Sequence, residues 1–175
     1  MRVKRSRPIL VRRAPRNRCQ GRIAFGYQVR PVALGRAGIV ALKREGDGGT
    51  PLGRFPLRQA LYRADRMRRP QTRLPLRAIR DRDSWCEDPA DRNYNRLVTL
   101  SAGADALMRD DHLYDLVIVL GYNDRPRLKG KGSAIFVHLA REGLEPTRGC
   151  IALSRHDLMM LLAELKPDST IWILP

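Results

Sequence analysis

The chain has 175 residues, a size that suits one domain with a substantial core, and 43 % of them are hydrophobic, which excludes a disordered polyampholyte. The formal net charge is +16, so polyanions are natural partners: nucleic acid, an anionic membrane or an anionic cell-wall polymer. Cys19, Cys86 and Cys150 are too few and odd in number, which excludes a disulfide scaffold. No stretch approaches the roughly 20 apolar residues of a membrane span.

In chain order, residues 1–20 read as a basic N-terminal arm or an edge strand, and residues 21–175 as the folded domain. The arm has charged residues but no apolar run beyond Ile9, Leu10 and Val11, so it does not read as a secretory signal. Arg12-Arg13 is likewise not followed by the apolar run of a twin-arginine signal. "RIAFGYQVRPVALG" (22–35) predicts a strand, a bend and a strand, and Gly46 to Gly49 a turn. Phe55, Leu57 and Leu61 predict another strand, since Pro51 and Pro56 argue against a helix. Residues 63–83 are dense in arginine; the run 63–80 reads as a solvated face, with one short exposed strand in "TRLPLRAIR". "DSWCEDPADRNYNRLVTL" reads as a structured loop entering a strand at Leu97 to Leu100.

"YDLVIVLGYN" and "SAIFVHLA" are short apolar runs and predict two buried strands, the second from Ala134 to Leu139. After a turn at Thr147 to Gly149 comes the strand "IAL". Ser154 with Asp157 three residues on resembles a capping box, and Leu158, Leu161, Leu162 and Leu165 recur at helical spacing until Pro167. "TIWILP" closes as a strand. The fold class is therefore mainly β with one or two helices: a single-domain mixed sheet or β-sandwich.

Chemistry concentrates near residue 150. Arg148 puts positive charge two residues from the Cys150 sulfur, which favours thiolate. Gly149 permits close backbone approach, and N–H groups at such a turn can face a developing oxyanion. A thiol nucleophile needs a base. His112 lies in a polar stretch and His156 in the first turn of the helix; both read as surface residues. His138 ends a buried run twelve residues before Cys150, and a strand, a loop and a turn can bring the two together. A plain core histidine and a buried cysteine are the alternatives. A zinc site from His138, Cys150 and His156 lacks paired ligand spacing. "LKGKGS" lacks the spacing of a phosphate loop, and aromatic residues at 6 % are too few for an evident nucleic-acid stacking platform.

These residues resemble a family. "HLAREGLEPTRGCIAL" looks like the active-site signature of the L,D-transpeptidase catalytic (YkuD) domain, a histidine followed by a loop and Ser/Thr-x-Gly-Cys. "KREGDGGTPLGRFPL" (43–57), "DSWCEDPADRNYN" (83–95) and "LGYND" followed by "GKGSAIFVH" resemble the family's upstream segments in the right order. Arg148 departs from the histidine that many members carry there. The resemblance implies an L,D-transpeptidase-like sheet. It implies Cys150 as nucleophile, His138 as general base, and the Gly149 and Cys150 N–H groups as oxyanion donors. Arg148, Tyr122, Asn123, Trp85 and Asn95 are the expected substrate contacts. It further implies peptidoglycan stem peptides as substrate, no metal or other cofactor, and a periplasmic location for a monomer that binds no nucleic acid. An L,D-carboxypeptidase on the same fold is the alternative, and a basic nucleic-acid-binding module a more distant one.

Overall fold

A computed structural model describes residues 8–99 and 104–175. In chain order the strands are β1 (Ile9–Ala14), β2 (Asn17–Phe25), β3 (Gln28–Ala33), β4 (Ile39–Val40), β5 (Thr50–Pro51), β6 (Gly53–Tyr62) and β7 (Leu76–Ala78). They continue with β8 (Asp83–Cys86), β9 (Leu97–Thr99), β10 (Ala104–Ala106), β11 (Leu116–Leu120), β12 (Phe136–Leu139), β13 (Ile151–Leu153) and β14 (Thr170–Leu174). Among the described residues the one α-helix, α1, spans Arg155–Glu164, and Glu142–Leu144 form a short 3-10 turn. The protein is thus mainly β, as its alternating apolar runs predict.

Among the described residues nine strands form one mixed sheet in the order β11-β12-β13-β3-β2-β1-β14-β6-β7, and a further β11–β6 pairing bends the sheet back on itself. Alternation places one side of each strand inside. Ile9 and Val11 of β1, Ile23 and Phe25 of β2, Ile118 of β11, Val137 of β12 and Ile171 and Ile173 of β14 make the inner core. Leu158, Leu161, Leu162 and Leu165, the helical stripe of α1, complete it. Ser154 caps α1: the Asp157 N–H donates to its Oγ (3.1 Å), which in turn donates to Asp157 Oδ2 (2.7 Å).

The other side of β11 and β12 carries a second cluster. Val117, Val119 and Phe136 pack there against Trp85, Leu107 and Tyr114. Trp85 belongs to the small sheet β10-β8-β9 and meets the Phe136 ring edge-on at 5.0 Å. Cys150 is part of this second cluster.

Several expectations need correction. Residues 9–14 are neither an arm nor an edge, because β1 pairs in parallel with β14 and antiparallel with β2. The expected boundary at residue 20 falls inside β2, and residues 1–7 lie outside the described residues. Asp83 to Cys86 form a strand, not a loop, because both β9 and β10 pair with them. Leu100, the expected end of the next strand, also lies outside the described residues. The strand expected from Ala134 begins at Phe136, since Ala134 has φ +52°. The arginine run is not wholly solvated: Arg63 is buried, holds Asp65 (2.7 Å) and donates to the Arg109 carbonyl (2.7 Å).

Candidate active site

β12 and β13 run parallel with Val137 opposite Ile151 and His138 opposite Ala152. Cys150 directly precedes β13, two residues from Ala152. Side chains two apart share a face, so Phe136, His138, Cys150 and Ala152 all leave the sheet on the same side. Two residues along a strand and one strand across put the His138 and Cys150 Cα atoms about 8 Å apart. Both side chains line one cleft of about 360 Å³, with Ala152, Tyr114 and Arg109 beside them. The intervening residues form the 3-10 turn and the Thr147–Gly149 bend.

His138 is buried, and its Nδ1 lies 2.8 Å from the Leu139 carbonyl oxygen. A carbonyl only accepts, so Nδ1 carries the proton and Nε2 presents a lone pair. Burial lowers the imidazole pKa to about 4; the Leu139 contact opposes this and the Arg109 charge adds to it. The ring is therefore neutral at physiological pH, and Tyr114 stands edge-on to it at 5.4 Å.

The Cys150 thiol sits between two backbone groups. Sγ donates to the Ala134 carbonyl (3.2 Å) and accepts from the Phe136 N–H (3.4 Å). The carbonyl favours the thiol form and the N–H favours thiolate. Ala134 reaches Sγ from a left-handed conformation that side chains other than glycine seldom adopt. Its N–H donates to Asn95 Oδ1 (3.1 Å), which also accepts from Trp85 Nε1 (2.9 Å). Asn95 Nδ2 donates to the carbonyls of Tyr122 (3.0 Å) and Asn123 (2.8 Å). Asn95→Ala leaves these buried groups unmatched, so it is expected to lower stability by about 3 kcal/mol. Urea denaturation of the variant checks this, and an unchanged midpoint would refute it.

The bend before Cys150 is fixed by Thr147. Its Oγ1 donates to the Cys150 carbonyl (2.6 Å) and accepts from the Gly149 N–H (3.1 Å). Gly149 has φ +135°, and a Cβ there would lie 2.8 Å from the Gly49 carbonyl oxygen. Conformation and space both demand glycine. The Gly149 N–H, expected as an oxyanion donor, is engaged by Thr147 Oγ1 in this structure. Arg148 is exposed and lines the cleft.

The other four expected substrate contacts do not line this cleft. Trp85 and Asn95 are buried behind it and support Phe136 and Ala134. Asn123 ties its own loop, donating to the Leu128 (2.9 Å) and Gly132 (2.8 Å) carbonyls. Tyr122 donates to the Lys131 carbonyl and faces a separate shallow depression with Leu42 and Leu128. His112 and His156 are exposed and outside the cleft, as read from their surroundings. Cys86 is a buried thiol, and its burial raises its pKa.

Two cleft residues were not singled out from sequence. Lys43 is buried, with Nζ 2.7 Å from Asp47 Oδ1 and 3.5 Å from where a Gly149 Cβ would stand. Burial alone would raise the Asp47 pKa, but the Arg44 N–H, Lys43 and the Gly49 N–H outweigh it and hold the group ionised. Glu45 accepts from Ser133 Oγ (2.7 Å) and from the Tyr94 hydroxyl. The only sequence signal was a charged group ahead of the Gly46–Gly49 turn; that turn folds it over the cleft. Cationic Arg36, Lys43 and Arg148 thus share the cleft with anionic Glu45 and Glu145, an arrangement suited to a ligand bearing both signs.

A thiol and a neutral imidazole on one sheet face, in one cleft, define a cysteine–histidine site. Residues 19–173 match the L,D-transpeptidase catalytic domain (YkuD), and the chain belongs to that family. Among solved structures it is similar to Bdellovibrio bacteriovorus Bd1075, at 17 % identity and TM-score 0.47 over 95 % of this chain and 47 % of that one. It is also similar to Mycobacterium tuberculosis L,D-transpeptidase 1, at 12 % identity and TM-score 0.37 over 96 % of this chain and 62 % of that one. The chain therefore spans less than two thirds of either. No curated protein matches. Among the described residues no helix is long and apolar enough to cross a membrane.

Proposed function

We propose that the protein is a cysteine L,D-transpeptidase acting on peptidoglycan stem peptides outside the cytoplasmic membrane, in the periplasm. The observation that carries this reading is the shared face of His138 and Cys150 across the parallel β12–β13 pair. His138 Nε2 takes the thiol proton as sulfur bonds to the carbonyl carbon of the stem peptide's diaminopimelate L-centre. The tetrahedral intermediate collapses, the C–N bond to the terminal D-residue breaks, and the imidazolium returns its proton to the departing amine. An incoming amine then attacks the thioester, gives a proton to His138, and leaves as the new amide while the thiol is restored. With the Gly149 N–H held by Thr147, charge on the carbonyl oxygen falls to the Cys150 N–H and the nearby Lys43 ammonium. No step calls for a metal or an organic cofactor.

Purified tetrapeptide muropeptides incubated with the protein test this by mass spectrometry. Dimers support transpeptidation. Tripeptide monomers alone would make it an L,D-carboxypeptidase with the same nucleophile, and unaltered substrate would refute both.

Arg148 binds a stem-peptide carboxylate in this reading, through the two-pronged geometry of its guanidinium. Arg148→Ala is expected to raise KM about tenfold, the loss of one charge-assisted bond, with a smaller change in kcat. Steady-state kinetics on tetrapeptide would refute the role if KM were unchanged.

A further inference from the structure

On the sheet face turned away from the inner core, across the strands that follow β13 in the sheet order, register assembles an unusual surface. Val29, Ala24, Leu10 and Trp172 stand opposite one another across β3, β2, β1 and β14. Three inter-strand spacings make this apolar row about 14 Å long. Val29 is 58 % exposed, and the other three are half-buried. Arg54, the β6 partner of Trp172, ends the row, its guanidinium 5.0 Å from the indole centroid. Two residues further along, Arg12 and Arg22 face each other as a cross-strand pair, and both are exposed.

A like-charge pair placed directly opposite is unfavourable in water. Nothing on these strands neutralises it: β1, β2, β3, β6 and β14 contain no aspartate or glutamate at all. An anion seated between Arg12 and Arg22 would turn the repulsion into binding. A soluble polyanion would need only the arginines. The adjoining apolar row, with a tryptophan whose one ring face is already covered by Arg54, fits an interface that is anionic at its surface and apolar just beneath.

We propose that this face docks the protein peripherally on a bilayer containing anionic phospholipid, with Arg12, Arg22 and Arg54 at the phosphates and Leu10, Val29 and Trp172 at the acyl boundary. The cleft, on other strands, stays open to substrate. This docking does not depend on the reaction assigned to Cys150.

The test is co-sedimentation of the full chain with phosphatidylcholine vesicles, with and without phosphatidylglycerol, while following tryptophan emission. Binding that requires phosphatidylglycerol, with a blue shift abolished by Trp172→Phe, is expected. Arg12→Gln with Arg22→Gln should weaken binding roughly thirtyfold, about fivefold for each arginine. The control Arg68→Gln with Arg69→Gln makes the same charge change at exposed positions on another segment and should retain binding. An equal loss in the control would reduce the effect to net charge and overturn the proposal. So would binding without a Trp172 shift, or no preference for anionic vesicles. Should the Arg12/Arg22 variant fail to fold, the wild-type lipid preference and the Trp172 shift still decide. Duplex DNA or heparin competing for this face, with Val29→Ser having no effect on vesicle binding, would assign it to soluble polyanions instead.

Discussion

Replacing Cys150 with alanine is expected to abolish formation of both dimers and tripeptides from tetrapeptide muropeptides, by a factor on the order of 10⁴ or more. No other thiol can substitute. Cys86 is buried outside the cleft, and Cys19 lies on β2, with Sγ 3.3 Å from the Arg36 carbonyl. The structural cost is small, because only one atom leaves and the sulfur's hydrogen bonds to Ala134 and Phe136 are weak. Thermal stability should fall by about 1 kcal/mol, chiefly for the unmatched Phe136 N–H. The family resemblance also implies that the thiol is acylated by carbapenems, so the adduct seen by intact mass should vanish in the variant. Turnover retained by a folded Cys150→Ala protein would remove the nucleophile from the mechanism.

His138→Gln is expected to reduce turnover by about 10²- to 10⁴-fold, the range supplied by a positioned general base. It also has a signature that a merely structural histidine at the surface would lack. The folded imidazole titrates at about 4, below its ordinary value of 6.5. Between these two values the unfolded chain binds a proton that the folded one does not, so stability is full above the upper value and lost as pH falls toward the lower one. A shift of that size corresponds to about 3 kcal/mol. Urea unfolding at neutral pH and near pH 4.5 should show this loss in the wild type and a shallower slope in His138→Gln. Equal slopes would mean that His138 is not the buried neutral base described. The same titration gives activity an acid limb well below neutrality.

What could be read from sequence was local. Gly26 and Tyr27 between two alternating runs announce the β2–β3 hairpin, Ser154 and Asp157 announce the start of α1, and the apolar runs at 116–120 and 136–139 announce buried strands. The pairing of His138 with the Cys150 turn was legible because both lie within one strand–turn–strand unit. What was hidden depends on distant partners. Nothing in "ILVRRA" says that its neighbour is "TIWIL", some 160 residues later, so an interior strand looked like an arm. Asp83 to Cys86 looked like a loop because its pairing comes from β9 and β10. Asn95 was singled out, but as a ligand contact; only the folded chain reveals that its amide serves Ala134 and, through it, the sulfur. Lys43 enters the cleft by way of the Gly46–Gly49 turn, which leaves no periodicity to read.

The parallel pairing of β1 with β14 bears on biogenesis. During synthesis the apolar flank of Ile9 and Val11 waits for Ile171 and Ile173, which leave the ribosome last among the core residues described. Until then β1 and β6 each offer a bare hydrogen-bonding edge, the kind of template on which nascent chains associate wrongly. Closure of the sheet therefore waits for β14, and contacts of such long sequence separation are the kind that form late in folding.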